Sequence, residues 1–231
     1  MSFNYSPKIV TNGLVLCLDA ANTKSYVSGS TIWTDLSKGG NTFTLTNGPT
    51  FSNVNGGTIV FDGVDDYANC SNSSNLQINQ GTISAWVKTS TPGSSFRGII
   101  IKQNNYGLFV NNGVLITYDW GNVLVRTTGI NIADGTWKNV AMTFTDNTGT
   151  PSNNAIIYLN GTAVLTTTIK ILNNLIEVQL ASGGTSDATP SGTRGIQQLN
   201  GSIAQSQIYN RALSSTEILQ NYNATKGRYG L

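Results

Sequence analysis

Short runs of β-branched and aromatic residues recur along almost the whole of this chain, and nearly every run is bounded by Gly, Asn, Asp or Pro. A spacing of roughly 8 to 12 residues between such runs belongs to two-layered antiparallel sandwiches and barrels, in which each run crosses a sheet once before a turn sends it back. The runs are GLVLCLD, GTIVF, GTISAWVKT, GIIIK, YGLFV, GVLITY, NVLVRT, WKNVAMTFT, AIIYLNG, TAVLTTTI, LIEVQLA and NGSIAQSQIYN. Two of the turns are explicit. Asn112 and Gly113 divide YGLFV from VLITY, and Asn160 and Gly161 divide IIYL from TAVL, each pair suited to the positive φ angles of a type I′ hairpin turn.

One segment has the other periodicity. In LSSTEILQNYNATKG, Ser214 is placed to cap the N–H of Glu217 while Glu217 reaches back, ahead of Ile218, Leu219 and Tyr222 on one face. This predicts a single short helix that ends at Gly227. The 231 residues fit within one large sandwich, and neither a repeat nor a boundary in composition divides them. The loops TSTPGSS, TDNTGTPSNN and ASGGTSDATPSGT read as sandwich-edge loops, because strand patterning resumes after each.

Composition removes several kinds of function. The 13 Lys and Arg against 11 Asp and Glu leave a net charge of +2 without runs, which implies neither nucleic acid nor an anionic membrane as a partner. The opening MSFNYSPKIV lacks a cationic stretch followed by an apolar one, and no run approaches the roughly 18 apolar residues of a membrane span, so the chain reads as unprocessed and not inserted in a membrane. The absence of histidine excludes Ser-His-Asp and Cys-His nucleophilic arrangements, and two isolated cysteines do not make a zinc cluster. Cys17 and Cys70 read as small buried residues in strands rather than as a disulfide. Gly183 and Gly184 lack the strand-to-helix setting and the lysine of a phosphate loop.

Two stretches hold candidate site residues. VFDGVDDYANC places Asp62, Asp65 and Asp66 within five residues, and carboxylate oxygens are what calcium seeks. The competing reading is scaffold. Asp62 and Gly63 suit a hairpin turn, and a strand paired directly after it would send Asp65 and Asp66 to opposite faces; a bulge would instead gather them. YDWGN sets Trp120 between Asp119 and Asn122 in a hairpin loop, where an indole could stack on a sugar ring while its neighbours bond hydroxyls. The bland alternative is an aromatic covering the sandwich edge. Trp86 and Trp137 read as core, Trp33 as a packing anchor, and Arg211 and Lys226 as solvated surface.

The segments FDGVDDY (61–67), GTISAWVKT (81–89), WKNVAMTF followed by IIYLNG, and NGSIAQSQIYNRALSSTEI (200–218) resemble the laminin G-like branch of the concanavalin A-like lectin/glucanase superfamily. The resemblance implies an antiparallel jelly-roll β-sandwich of a dozen or more strands. It also implies a site to look for: such domains often hold calcium at a loop rim, which would draw on Asp62, Asp65 and Asp66 or on Asp146 and Asp187. Glucanases of the superfamily carry a strand motif E-x-D-x-x-E. This chain has two glutamates, Glu177 and Glu217, and neither has the partner carboxylate that retaining hydrolysis requires, so the expectation is a non-enzyme. The end segments VTNGLVLCLDAANTKSY and YNRALSSTEILQNYNATKGRYGL are similar to virion proteins of marine tailed phages, particularly cyanophages. That resemblance implies a structural virion component on capsid or tail, with other virion proteins or copies of itself as partners, and weak adhesion to host-surface glycans. The alternative is a carbohydrate-binding or receptor-binding module, with or without calcium.

Overall fold

The computed structural model describes residues 7–93, 95–145, 152–172, 175–183 and 197–231. The strands are β1 Leu14–Asp19, β2 Ile32–Trp33, β3 Phe43–Thr46, β4 Thr50–Ser52, β5 Thr58–Asp62, β6 Tyr67–Cys70, β7 Gly81–Lys88 and β8 Phe96–Lys102. There follow β9 Tyr106–Asn111, β10 Val114–Asp119, β11 Leu124–Asn131, β12 Lys138–Phe144, β13 Ala155–Leu159, β14 Thr162–Thr167, β15 Val178–Leu180 and β16 Asn200–Tyr209, and then one helix, α1 Ser215–Thr225.

These strands form two antiparallel sheets. One runs β14-β13-β12-β7-β16-β5-β4, with β1 beside β16; the other runs β11-β10-β9-β8-β15-β6-β3-β2. Alternate side chains meet between them, so Leu16, Phe43, Ile59, Ile83, Leu108, Val140 and Val178 belong to one dry core. The concanavalin A-like sandwich is therefore present, with its single C-terminal helix. The two Asn-Gly turns have the expected geometry: Asn112 and Gly113 sit at φ 49° and 83°, and Asn160 and Gly161 at 50° and 79°.

The helix begins as its capping box requires. The Glu217 N–H donates to Ser214 Oγ at 3.3 Å and the Ser214 N–H donates to Glu217 Oε2 at 2.9 Å. Arg211, expected to be solvated, instead grips both Glu217 oxygens at 2.9 and 2.6 Å. Those Arg211 bonds, followed by the backbone N–H of Ser214, hold the Glu217 carboxyl at about 2. The helix does not stop at Gly227. Its end tightens into a 3₁₀ turn, Lys226–Tyr229, and Gly230 at φ 75° closes it. The cause is Tyr229, whose ring stacks on Trp86 with centroids 4.0 Å apart and draws the chain through another turn.

Two further expectations are modified, and the reading of the cysteines as buried small residues is met. Trp86 and Trp137 are buried, but outside the core between the sheets: they lie on the outer face of the first sheet beneath α1 and the 3₁₀ turn, with Ala204 and Tyr229. Their indole N–H groups donate to Thr225 Oγ1 and Asn55 Oδ1, each at 2.9 Å. Cys17 and Cys70 are both buried and unpaired. Burial first, then nearby carboxylates, pushes their thiols up to about 12 and 11. Asp62 and Gly63 do not make a hairpin. β5 pairs with β16 and β4 in the first sheet, whereas β6 pairs with β15 and β3 in the second, so residues 63–66 carry the chain across from one sheet to the other.

Candidate ligand-recognition site

The loop joining β10 to β11 is organised around Asp119, whose side chain has no exposed surface. Its Oδ1 accepts from the N–H groups of Asn122 (3.3 Å) and Lys170 (3.0 Å), and its Oδ2 accepts from Asn122 Nδ2 (2.9 Å) and from the Arg126 guanidinium (2.8 Å). Burial opposes ionisation of this carboxyl, but the bonds from Asn122, Arg126 and Lys170 together outweigh it and hold its pKa below the ordinary aspartate value. Lys170 approaches so closely that a Cβ on Gly121 would come within 2.5 Å of its side chain, which is why glycine occupies that position.

The clamp holds a strained, apolar loop tip. Val123 has φ 55°, a conformation that β-branched residues avoid, and yet it is 72% exposed. Leu124 and Val125 beside it are exposed as well. Trp120 is half-buried, packed edge-to-face on Tyr118 (5.5 Å) and tilted on Phe109 (6.0 Å), while Phe96 meets Tyr118 and Phe109 edge-on at 5.7 and 5.8 Å. This aromatic group rests on Ile101, Phe109 and Ile116 on the outer face of the second sheet. Gly107 makes room for it, since a Cβ there would lie 3.2 Å from Trp120 Cη2.

The geometry divides the expected sugar-binding trio. Asp119 is not available to a ligand, because its lone pairs face Asn122, Arg126 and Lys170, and the Asn122 amide is turned to Asp119. Both support the loop, whereas Trp120 remains a candidate contact residue. Tyr118 and Phe96, packed in the same aromatic group, and exposed Val123 join it as candidates. Sequence reasoning placed Val123 inside a strand-forming run, and only its backbone angle marks it out.

The crossover after β5 brings the acidic trio together, contrary to the paired-strand reading. Oxygens of Asp62, Asp65 and Asp66 all lie within 4.8 Å of one another, with Asp66 buried and the other two exposed. The reason is a tight local loop: Asp62 Oδ1 accepts from the Val64 N–H at 2.7 Å and Asp66 Oδ2 accepts from the Asp62 N–H at 3.0 Å. Burial raises the Asp66 pKa, and the neighbouring Asp62 and Asp65 charges add to the rise. All-oxygen donors suit a hard cation such as calcium, and these are the residues that would hold it. Yet two of the carboxylates already serve backbone N–H groups, which is the chemistry of a loop tied by its own acids. The alternative acids Asp146 and Asp187 lie outside the described residues.

The glutamates are engaged too. Glu177 accepts from Asn69 Nδ2 (2.8 Å) and Gln179 Nε2 (2.7 Å), and Glu217 serves the helix cap and Arg211.

A two-sheet antiparallel sandwich of this order is the lectin-like class of fold. Residues 62–219 match the family model described as the concanavalin A-like lectin/glucanases superfamily, of the laminin G type, and the chain belongs to that family. Among solved structures it is similar to the binding domain of Paraclostridial Mosquitocidal Protein 1, at 15% identity and a TM-score of 0.68 over 92% of this chain and 52% of that one. It is also similar to the sialidase of Trypanosoma rangeli (15%, TM-score 0.66, 97% of this chain and 36% of that one). A third likeness is to the receptor binding domain of botulinum neurotoxin type G (18%, TM-score 0.61, 91% and 51%). At such identities the likeness is one of fold, and the chain spans only 36% to 52% of the lengths of these three. A search of the curated proteins gave no match.

Proposed function

We propose that this chain is a non-enzymatic adhesion module that recognises a glycan on a cell surface through the β10–β11 loop, and that it is carried on the capsid or tail of a phage virion. The observation that carries the adhesive reading is the tip itself: Val123 is held exposed at an unfavourable φ beside half-buried Trp120, by a buried carboxylate with all its bonds made. A backbone strain maintained by such a network is characteristic of a recognition surface built in advance of its ligand. An indole flanked by Tyr118 and Phe96 suits the apolar face of a sugar ring. The virion setting is supported by the resemblance of the two end segments to phage virion proteins. Catalysis has little support, since each glutamate is occupied by the fold. Calcium is not required on this reading, because the Asp62, Asp65 and Asp66 loop is closed by its own hydrogen bonds.

A glycan array probed with the purified chain tests the adhesive reading. Binding that persists in chelator and falls at least about tenfold in Trp120→Ala, with melting temperature little changed, is the expected result. Undiminished binding in that variant would move the site elsewhere. Mass spectrometry of purified particles tests the setting, and particles lacking the chain would rule it out.

A further inference from the structure

The opposite sheet carries a second cleft, and its chemistry differs from that of the aromatic loop. The pairing of β1 with β16 sets Cys17 opposite Gln207 and Asp19 opposite Gln205. Leu16 and Leu18 point into the core, so these four side chains share the outer face of the first sheet. The end of α1, the 3₁₀ turn and the segment after β1 wall them in, and the cleft they floor has a volume of about 880 Å³. That volume lies in the range of about 300 to 1,000 Å³ usual for small-ligand sites.

The charges in the cleft are already cancelled. Arg228 pairs with Asp19 Oδ1 at 2.6 Å and donates to the carbonyls of Asn55 and Gly57 at 2.5 and 2.6 Å, while Asp19 Oδ2 accepts from Gln205 Nε2 at 2.7 Å. Cys17 is a thiol, pushed up to about 12 mainly by burial, and brings no charge at neutral pH. What remains unpaired is neutral. Gln205 Oε1 is buried with no hydrogen-bond partner. Gln207 is only 6% exposed; its Oε1 accepts from Tyr209 Oη at 3.3 Å and from Ser84 Oγ at 3.5 Å, while its Nε2 makes no hydrogen bond within the protein. Gln205 Oε1 is thus an orphaned buried acceptor, and Gln207, on the same strand face and about 6.6 Å further along the strand, presents an Nε2 to which no hydrogen bond from the protein is assigned. A buried acceptor such as Gln205 Oε1 is costly to leave unsatisfied in a folded protein.

We propose that this cleft is a second ligand site, for a short neutral saccharide whose hydroxyls accept from Gln207 Nε2 and donate to Gln205 Oε1. Hydroxyl groups both donate and accept, and so match one acceptor and one donor without bringing a charge. With Arg228 fully engaged by Asp19, Asn55 and Gly57, an anionic sugar has no free cation to meet among the described residues that line the cleft. The site does not depend on the aromatic loop, which lies on the other sheet.

The test is isothermal titration and saturation-transfer NMR on the full chain with neutral di- and trisaccharides (cellobiose, maltotriose, chitobiose) and, in parallel, with a sialylated trisaccharide. The expected result is binding of at least one neutral probe that weakens about tenfold in Gln207→Leu. The same binding should be blocked in Ala224→Trp, which fills the cleft from the helix side, and unchanged in Trp120→Ala. Gln207→Leu keeps the side-chain bulk and removes only polar atoms, and its melting temperature checks that the chain folds. Absence of neutral-sugar binding, preference for the sialylated probe, or binding lost in Trp120→Ala but kept in Gln207→Leu would each overturn the proposal. The last of these outcomes would leave the loop reading intact.

Discussion

Arg126 and Asp119 are joined at 2.8 Å by an ion pair in which the aspartate side chain is wholly buried and the arginine side chain is 26% exposed. The pair spans the loop that carries Trp120 and Val123, fixing its two stems at once. Because the folded Asp119 carboxyl titrates below its usual value, the fold favours the ionised form. This contribution to stability is therefore complete above the unfolded aspartate range, near about pH 4, and is lost as pH falls through the lowered folded value. Asp119→Asn is expected to cost about 2 kcal/mol at neutral pH. Thermal melts should show the gap between variant and parent closing below about pH 4, and a gap independent of pH would mean the charge is not what stabilises the loop.

The tip residue Val123 should trade stability against binding. Asparagine tolerates the left-handed region that valine avoids, so Val123→Asn is expected to raise stability by about 1 kcal/mol. It also removes an exposed apolar side chain, and glycan binding should weaken in the same variant. A variant that is no more stable, or that binds as well as the parent, counts against a strained tip kept for recognition.

Lys102 is fully buried, and its ammonium donates to Asn72 Oδ1 at 3.0 Å and to the Ile176 carbonyl. Burial lowers its pKa to about 8, a fall only partly opposed by Cys70. Between that value and the unfolded lysine value of about 10.4 the unfolded chain holds the extra proton, so this group adds stability as pH rises across that interval. The melting temperature of Lys102→Met relative to the parent should accordingly fall from pH 7 to about pH 10. A constant difference would show that the buried amine is not titrating with the fold.

The acidic crossover gives a direct comparison of loop and metal. Asp66→Ala removes the acceptor of the Asp62 N–H and is expected to cost about 1 kcal/mol. Differential scanning calorimetry should find the same loss in millimolar calcium and in chelator. If the loss appears only with calcium present, the cluster is a cation site.

Features written in neighbouring residues were legible. The Asn112-Gly113 and Asn160-Gly161 turns and the Ser214–Glu217 cap each draw on chemistry contained within four residues, and long strands such as Gly81–Lys88 display their character over several positions. Ile32–Trp33 and Thr50–Ser52 did not stand out, because two or three residues carry no alternation. Asp62 and Gly63 do mark a change of direction, but turn chemistry says nothing of which sheet receives the next strand. The site was harder still. Asp119 looked like a ligand residue because the backbone that buries it comes from Lys170, and the aromatic floor is assembled from three strands, β8, β9 and β10, and the start of the loop after β10.

The placement of the four tryptophans has a practical consequence. Trp120 stands at the aromatic loop; Trp86 and Trp137 lie together on the outer face of the other sheet, where Trp86 donates to Thr225, a residue of the cleft; and Trp33 is sealed in the interior. Each face of the sandwich thus has its own built-in fluorophore. With Trp120 changed to phenylalanine, any emission change that survives on adding a ligand reports occupancy of the helix-side cleft by itself.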